Sequence, residues 1–188
     1  KILQIPGNLR VLYGNLHDLI TTSYNSQYAT TWGNHFTQLF STSFSAVANY
    51  FGDRSTWVLG ELDRLAPQIP FEITTNNGQD FGVSKSSVTL TGRAWYRVDE
   101  IRLAGQTDAL KPTWIDRDTW EITLPLPGGQ NNLSLEAYDY QGNLMASDSI
   151  HVTTTERDAS HLLRISELMY NPAGSDELEF VEILNTSD

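Results

Sequence analysis

Four histidines, His17, His35, His151 and His161, are the residues of this 188-residue chain that could ligate a transition metal or move a proton near neutral pH. Their spacing supports neither chemistry, because none stands in an HExxH helix or in another close ligand pair. His17 precedes Asp18, and neighbours on a helix do not face one another. His151 is out of phase with Ile150 and Val152, so it is expected to face solvent. The absence of cysteine excludes disulfides, thiolate nucleophiles and Cys-ligated zinc. No serine sits in a G-x-S-x-G elbow, and no glycine-rich phosphate loop occurs; LPGGQNN is a turn between strands. No residue is assigned to catalysis or to a cofactor.

Carboxylates are the next candidates. Asp116 and Asp118 lie in WIDRDTW, and Asp176, Glu177, Glu179 and Glu182 in SDELEFVE. Calcium takes roughly six to eight oxygens, and neither stretch has the spacing of an EF-hand loop. Asp116 and Asp118 suit a turn between strands near 112–115 and 119–124. The sequence neither assigns nor excludes a metal ligand. The five tryptophans could form a sugar-binding platform. Trp32 is in phase with Tyr28 and Phe36, and Trp120 with Ile122 and Leu124, so both read as core. Trp57 is expected at a junction between helices and strands. Trp95 and Trp114 are free of phase, and Tyr138 and Tyr140 are out of phase with Leu135 and Ala137. These last four are the candidate ligand-contact aromatics.

The elements that must position these residues fall into three parts. From Leu9 to Leu65 the apolar residues recur at three- and four-residue steps, which predicts helices over 8–22, 27–41 and 43–65 with Ser26 and Ser43 as N-caps. Pro67 and Pro70 end the helical region. The period then becomes two: Ile73, Val88, Leu90, Ile101, Leu103, Trp120, Ile122, Leu124, Leu133, Leu135, Ile150 and Val152 alternate with polar residues. Turn signals at 76–78, 104–108, 127–129 and 141–143 divide about seven strands, the rhythm of an antiparallel Ig-like β-sandwich. Residues 163–188 read as two strands around NPAGSD, a hairpin that is marginal alone. The fold class is therefore α+β: an N-terminal helical segment (1–66), a sandwich (67–156) and a truncated β-hairpin tail (157–188).

Composition restricts partners. A 39% hydrophobic and 11% aromatic content supports a packed core, unlike a disordered chain. A net charge of −11 repels phosphate backbones and anionic lipid surfaces, so no nucleic-acid partner is expected. No apolar run approaches the ~20 residues of a bilayer span, so no membrane insertion is expected.

The tail residues ISELMYNPAGSDELEFVEILN, 165–185, resemble the opening of a lamin-tail domain. The stretch LRVLYGNLHDLITTSYNSQYATTWGNHFTQLF followed by FGDRSTWVLGELDRLAP is similar to the closing helices of a CotH-type kinase region. Residues 71–105 are similar to the β-module that often follows such a region. These resemblances imply a large exported bacterial multidomain parent at the cell surface or outside the cell. In that kinase family the nucleotide- and metal-binding acidic residues precede the closing helices, and nothing in residues 1–66 corresponds to them. The implied role is a structural or interaction fragment with no catalytic activity of its own. Its expected partners are other domains of the same parent, or a cell-surface protein or glycan. The alternatives are the scaffold part of a CotH-type kinase and a carbohydrate-binding β-module.

Overall fold

The computed structural model describes residues 4–5, 7–156, 163–170 and 179–186. His161, Asp176, Glu177 and the NPAGSD turn lie outside the described residues. Three helices come first: α1 (Asn8–Thr22), α2 (Ser26–Phe40) and α3 (Ser45–Leu65). Their spans follow the sequence period closely, but their caps do not. The N-cap of α2 is Asn25, whose side-chain oxygen accepts from Tyr28 N at 2.9 Å. The same amide donates to the Ile20 carbonyl at 3.0 Å, so one side chain closes α1 and opens α2. Ser26 is the first helical residue instead, and α3 starts from Phe44 without a side-chain cap.

The strands form a four-on-four sandwich. One sheet has the order β1 (Glu72–Ile73), β3 (Ser87–Arg93), β6 (Thr119–Pro125), β5 (Thr113–Trp114). The other has the order β2 (Phe81–Val83), β8 (Leu144–Thr154), β7 (Gly129–Tyr138), β4 (Glu100–Leu103). The sandwich is mixed rather than wholly antiparallel, because β2 pairs with β8 in parallel. That edge strand is three residues with a central glycine, too short to show an alternation.

Alternation placed the core correctly. Val88, Leu90, Trp120, Ile122 and Leu124 of one sheet meet Ile101, Leu133, Leu135, Ile150 and Val152 of the other. Leu103 was expected among them and is only half-buried at the end of the edge strand β4. Trp120 stacks on Phe71 with ring centroids 5.9 Å apart. Its indole lies over Gly92, its cross-strand partner, where an added Cβ would come within 2.1 Å of the ring. A glycine in mid-strand usually weakens a sheet; here it makes the room that the indole fills.

Two expectations for tryptophan fail. Trp32 and Trp57 are 47% and 55% exposed, so neither is core nor a junction residue. Helical phase identifies an apolar face without saying what covers it. The remaining strands, β9 (Leu163–Met169) and β10 (Phe180–Asn185), pair antiparallel with a register shift at Glu182/Ile183. Every residue of both is exposed, including Ile165, Leu168, Val181 and Ile183.

Candidate functional site

Helix α1 is fastened to the sandwich by one buried cation. Arg10 is 3% exposed and donates to four backbone carbonyls: Ala94 at 2.9 Å, Trp95 at 2.6 Å, Val98 at 2.5 Å and Arg117 at 3.1 Å. Its guanidinium stacks 3.6 Å from the Trp114 ring centroid. The planar fork and the ring face together replace its lost water. Burial pulls its pKa down to about 10, with Tyr140, Asp118 and Asp99 opposing, so it stays protonated at neutral pH.

The four candidate aromatics can now be placed. Trp95 is 9% exposed, and its indole donates to the Ala66 carbonyl at 3.0 Å. Trp114 lies under Arg10, and its Cβ is 3.1 Å from where a Cβ on Gly7 would stand. Tyr140 reaches α1 so closely that a Cβ on Gly14 would lie 2.0 Å from its hydroxyl. Burial, then Asp99, raises the Tyr140 pKa. These three therefore line the joint between helices and sandwich rather than an outward platform. The free phase of the 94–98 loop and of the β7–β8 turn is spent on meeting the helices. Tyr138 is separate: its hydroxyl donates to Glu136 at 2.6 Å, and Arg102 covers its ring at 4.4 Å.

The joint has its own small core of Leu62, Ala66, Trp95 and Tyr96, with Tyr13, Leu16 and Val58 against it. Tyr13 meets Tyr96 edge-on at 5.8 Å, and His17 does so at 6.3 Å. Burial and then the Arg97 charge lower the His17 pKa. Arg117 adds a bond to the Leu65 carbonyl at 2.7 Å and pairs with Asp118 at 2.5 Å.

The remaining candidates serve turns. Asp116 Oδ1 accepts from Asp118 N at 2.8 Å and Thr119 N at 2.7 Å, the turn expected there. Among the described residues no three His, Asp or Glu side chains gather where they could hold a metal. His151 faces solvent as expected, 3.5 Å from Asp80. Both side chains are more than half exposed, at 62% and 65%, so the pair is screened.

The open surface lies on the helices. Helix α2 buries none of its residues. Tyr28, Trp32, Phe36 and Phe40 recur every four residues along it, their rings 6.1–6.3 Å apart in sequence. Phe44 continues the row at 6.0 Å from Phe36. Tyr28, Trp32, Phe36 and Phe44, with Val47 and Phe51 of α3 and the small residues Ala29 and Gly33, wall a groove of about 510 Å³; Phe40 lies beyond it. No Asp, Glu, Lys or Arg occurs between Asp18 and Asp53, although 19% of the chain is charged. Sequence reasoning found these aromatics but placed Trp32 inside; the uncharged run was the signal it did not use.

No family model and no curated protein sequence matches the chain. Among solved structures, fibronectin(III)-like modules of Clostridium thermocellum CbhA share 13% identity with it at a TM-score of 0.35. That match covers 47% of this chain and 99% of the module. The Bacteroides ovatus mixed-linkage glucan utilization locus SGBP-B, in complex with mixed-linkage heptasaccharide, shares 11% identity at a TM-score of 0.29. It is matched over 53% of this chain and 27% of its own length, so this chain spans about a quarter of that protein. The sandwich of two four-stranded sheets is established by the strand pairing itself.

Proposed function

We propose that this chain is a non-catalytic structural and interaction module: a rigid β-sandwich carrying a helical contact face at one end. The observation that carries the reading is α2, a fifteen-residue helix with no fully buried residue, which displays Tyr28, Trp32, Phe36 and Phe40. Isolated exposed apolar side chains are ordinary, but a contiguous row of rings on a charge-free helix is the composition of an interface. On the resemblances of residues 8–66 and 165–185, the helices would close a CotH-type kinase region and β9–β10 would open a lamin-tail domain. The setting would be a large exported bacterial protein acting outside the cell or at its surface. The division at 66/67 and 156/157 belongs to the same proposal. In that setting the chain spaces neighbouring domains and lends scaffold rather than chemistry.

A glycan partner is the second reading. Sugar platforms need free ring faces; Trp95, Trp114 and Tyr140 lie in the joint and Arg102 covers Tyr138, which favours a protein partner.

Thermal denaturation in dilute solution separates a contact face from a core. Trp32→Lys is expected to leave the melting temperature within a few degrees of the parent chain. Trp120→Ala, at the centre of the sandwich, should cost about 3–5 kcal/mol. If Trp32→Lys unfolds the chain, α2 belongs to the core and the reading fails.

A further inference from the structure

The row of rings on α2 has a shape that matches itself. Its most exposed member, Phe40 at 66%, stands at one end beside Leu39 at 61%, and the small residues Ala29 and Gly33 line the groove toward the other. Laying a second α2 antiparallel about Phe36 sets Phe40 of each copy level with Trp32 of the other, with the reciprocal contacts generated by the same two-fold axis.

Charge and area point to the same occupant. The chain carries −11, so most approaches of two copies bring acidic surface to acidic surface. Residues 19–52 are the stretch without a charged side chain, and two copies can meet there without that repulsion. A whole aromatic side chain offers roughly 150–250 Å². Exposures of 39–66% across Tyr28, Trp32, Phe36, Phe40 and Leu39 then leave roughly 400–650 Å² per copy. A standard interface takes ~800 Å² from each partner, a figure within reach once the polar rim of α2 is included.

We propose that this helical face takes a second copy of the chain, α2 against α2 about a two-fold axis near Phe36. The inference rests on reading the face as a contact surface.

Sedimentation velocity on the 188-residue chain over a dilution series tests it. The expected result is a reversible monomer–dimer equilibrium. Raising the salt should leave the dimer unchanged or strengthen it, since apolar contact is not screened whereas acidic repulsion is. Trp32→Lys should give a monomer with an unaltered circular dichroism spectrum. Because the chain has no cysteine, Phe36→Cys places a single thiol beside the proposed axis. It should oxidise to a covalent dimer, and Ser149→Cys on the sandwich should not. A chain that stays monomeric at roughly 100 μM, well above a micromolar dissociation constant, overturns the proposal. So does a dimer that Trp32→Lys leaves intact. If the monomeric chain tolerates Trp32→Lys, only the second copy is excluded; if that substitution unfolds it, the contact-surface reading falls as well.

Discussion

Arg10 illustrates how much one side chain can determine. It leaves water for a site with no directly bonded carboxylate, and four carbonyl dipoles and the Trp114 ring compensate. Removing it strands those carbonyls in the interior. Arg10→Met should therefore cost about 2–4 kcal/mol, since a buried carbonyl left without its donor costs roughly 1–3 kcal/mol and neighbouring groups recover part of the loss. Arg10→Lys should fall between, since an ammonium cannot span four acceptors and lie flat on an indole. Urea unfolding, extrapolated to water, measures both; a loss under about 1 kcal/mol for Arg10→Met would mean the fork is not what fastens α1. Nothing in the sequence marked Arg10. It sits one position off the stripe Leu9, Leu12, Tyr13, Leu16 and Ile20, and its acceptors are more than eighty residues away. Trp120 was legible because its neighbours alternate, and Asp116 because aspartate favours turns. The partners of Trp95 and Tyr140 were not, since neither local period nor turn chemistry encodes a long-range joint.

At the scale of elements the joint is testable through Gly14. A glycine in mid-helix ordinarily loses about 1 kcal/mol against alanine. Here the missing Cβ admits the Tyr140 hydroxyl and ring, which would otherwise be 2.0–2.6 Å away. Gly14→Ala should destabilise the chain despite its better helix propensity, and adding Tyr140→Ala should recover part of the loss. A double-mutant cycle by calorimetry measures the coupling; a Gly14→Ala variant more stable than its parent would show that α1 is not pressed on the β7–β8 turn. The three helices and the sandwich rhythm were visible in the periods of 3.6 and 2. The parallel edge β2 was not, because three residues carry no period. The exposure of α2 was not either, because a stripe of aromatic residues reads alike whether the partner is the same chain or another.

For the whole molecule, acid should act in two stages. The folded-state pKa of His17 lies below its ordinary value because of burial and Arg97. Its contribution is complete above the unfolded value of 6.5 and is lost as pH falls through the folded one. The carboxylates follow. Burial would raise Asp116 and Asp139, but hydrogen bonds from Thr119 and Asp118, and from Asn143 and Gln141, outweigh it and hold both below 3.8. Their contribution is present above 3.8 and disappears as pH falls further. Asp99, raised by burial and by Glu100, acts the other way and softens the onset. Melting temperature against pH should thus be level above about 7, decline gently below 6.5 and drop steeply below 3.8. His17→Gln should remove the gentle decline alone; a curve unchanged by that substitution would place the first stage elsewhere.

The parallel pairing of β2 with β8 has a mechanical meaning. Phe81, Gly82 and Val83 lie beside Val152, Thr153 and Thr154, and the Thr154 hydroxyl donates to the Lys85 carbonyl at 2.6 Å just beyond. Tension applied through the helices would first load β1 on β3 and, once those two residues part, would pull β2 toward its first residue, while tension toward β9 would pull β8 toward its last. Strands that run the same way are then dragged past one another along their length. Their hydrogen bonds are loaded together in shear instead of being opened one after another, the arrangement in which a short ladder resists the greatest force. The edge strand that the sequence conceals is thus expected to resist extension, and a pulled sandwich whose unfolding force is unchanged by Val83→Pro would show that it does not.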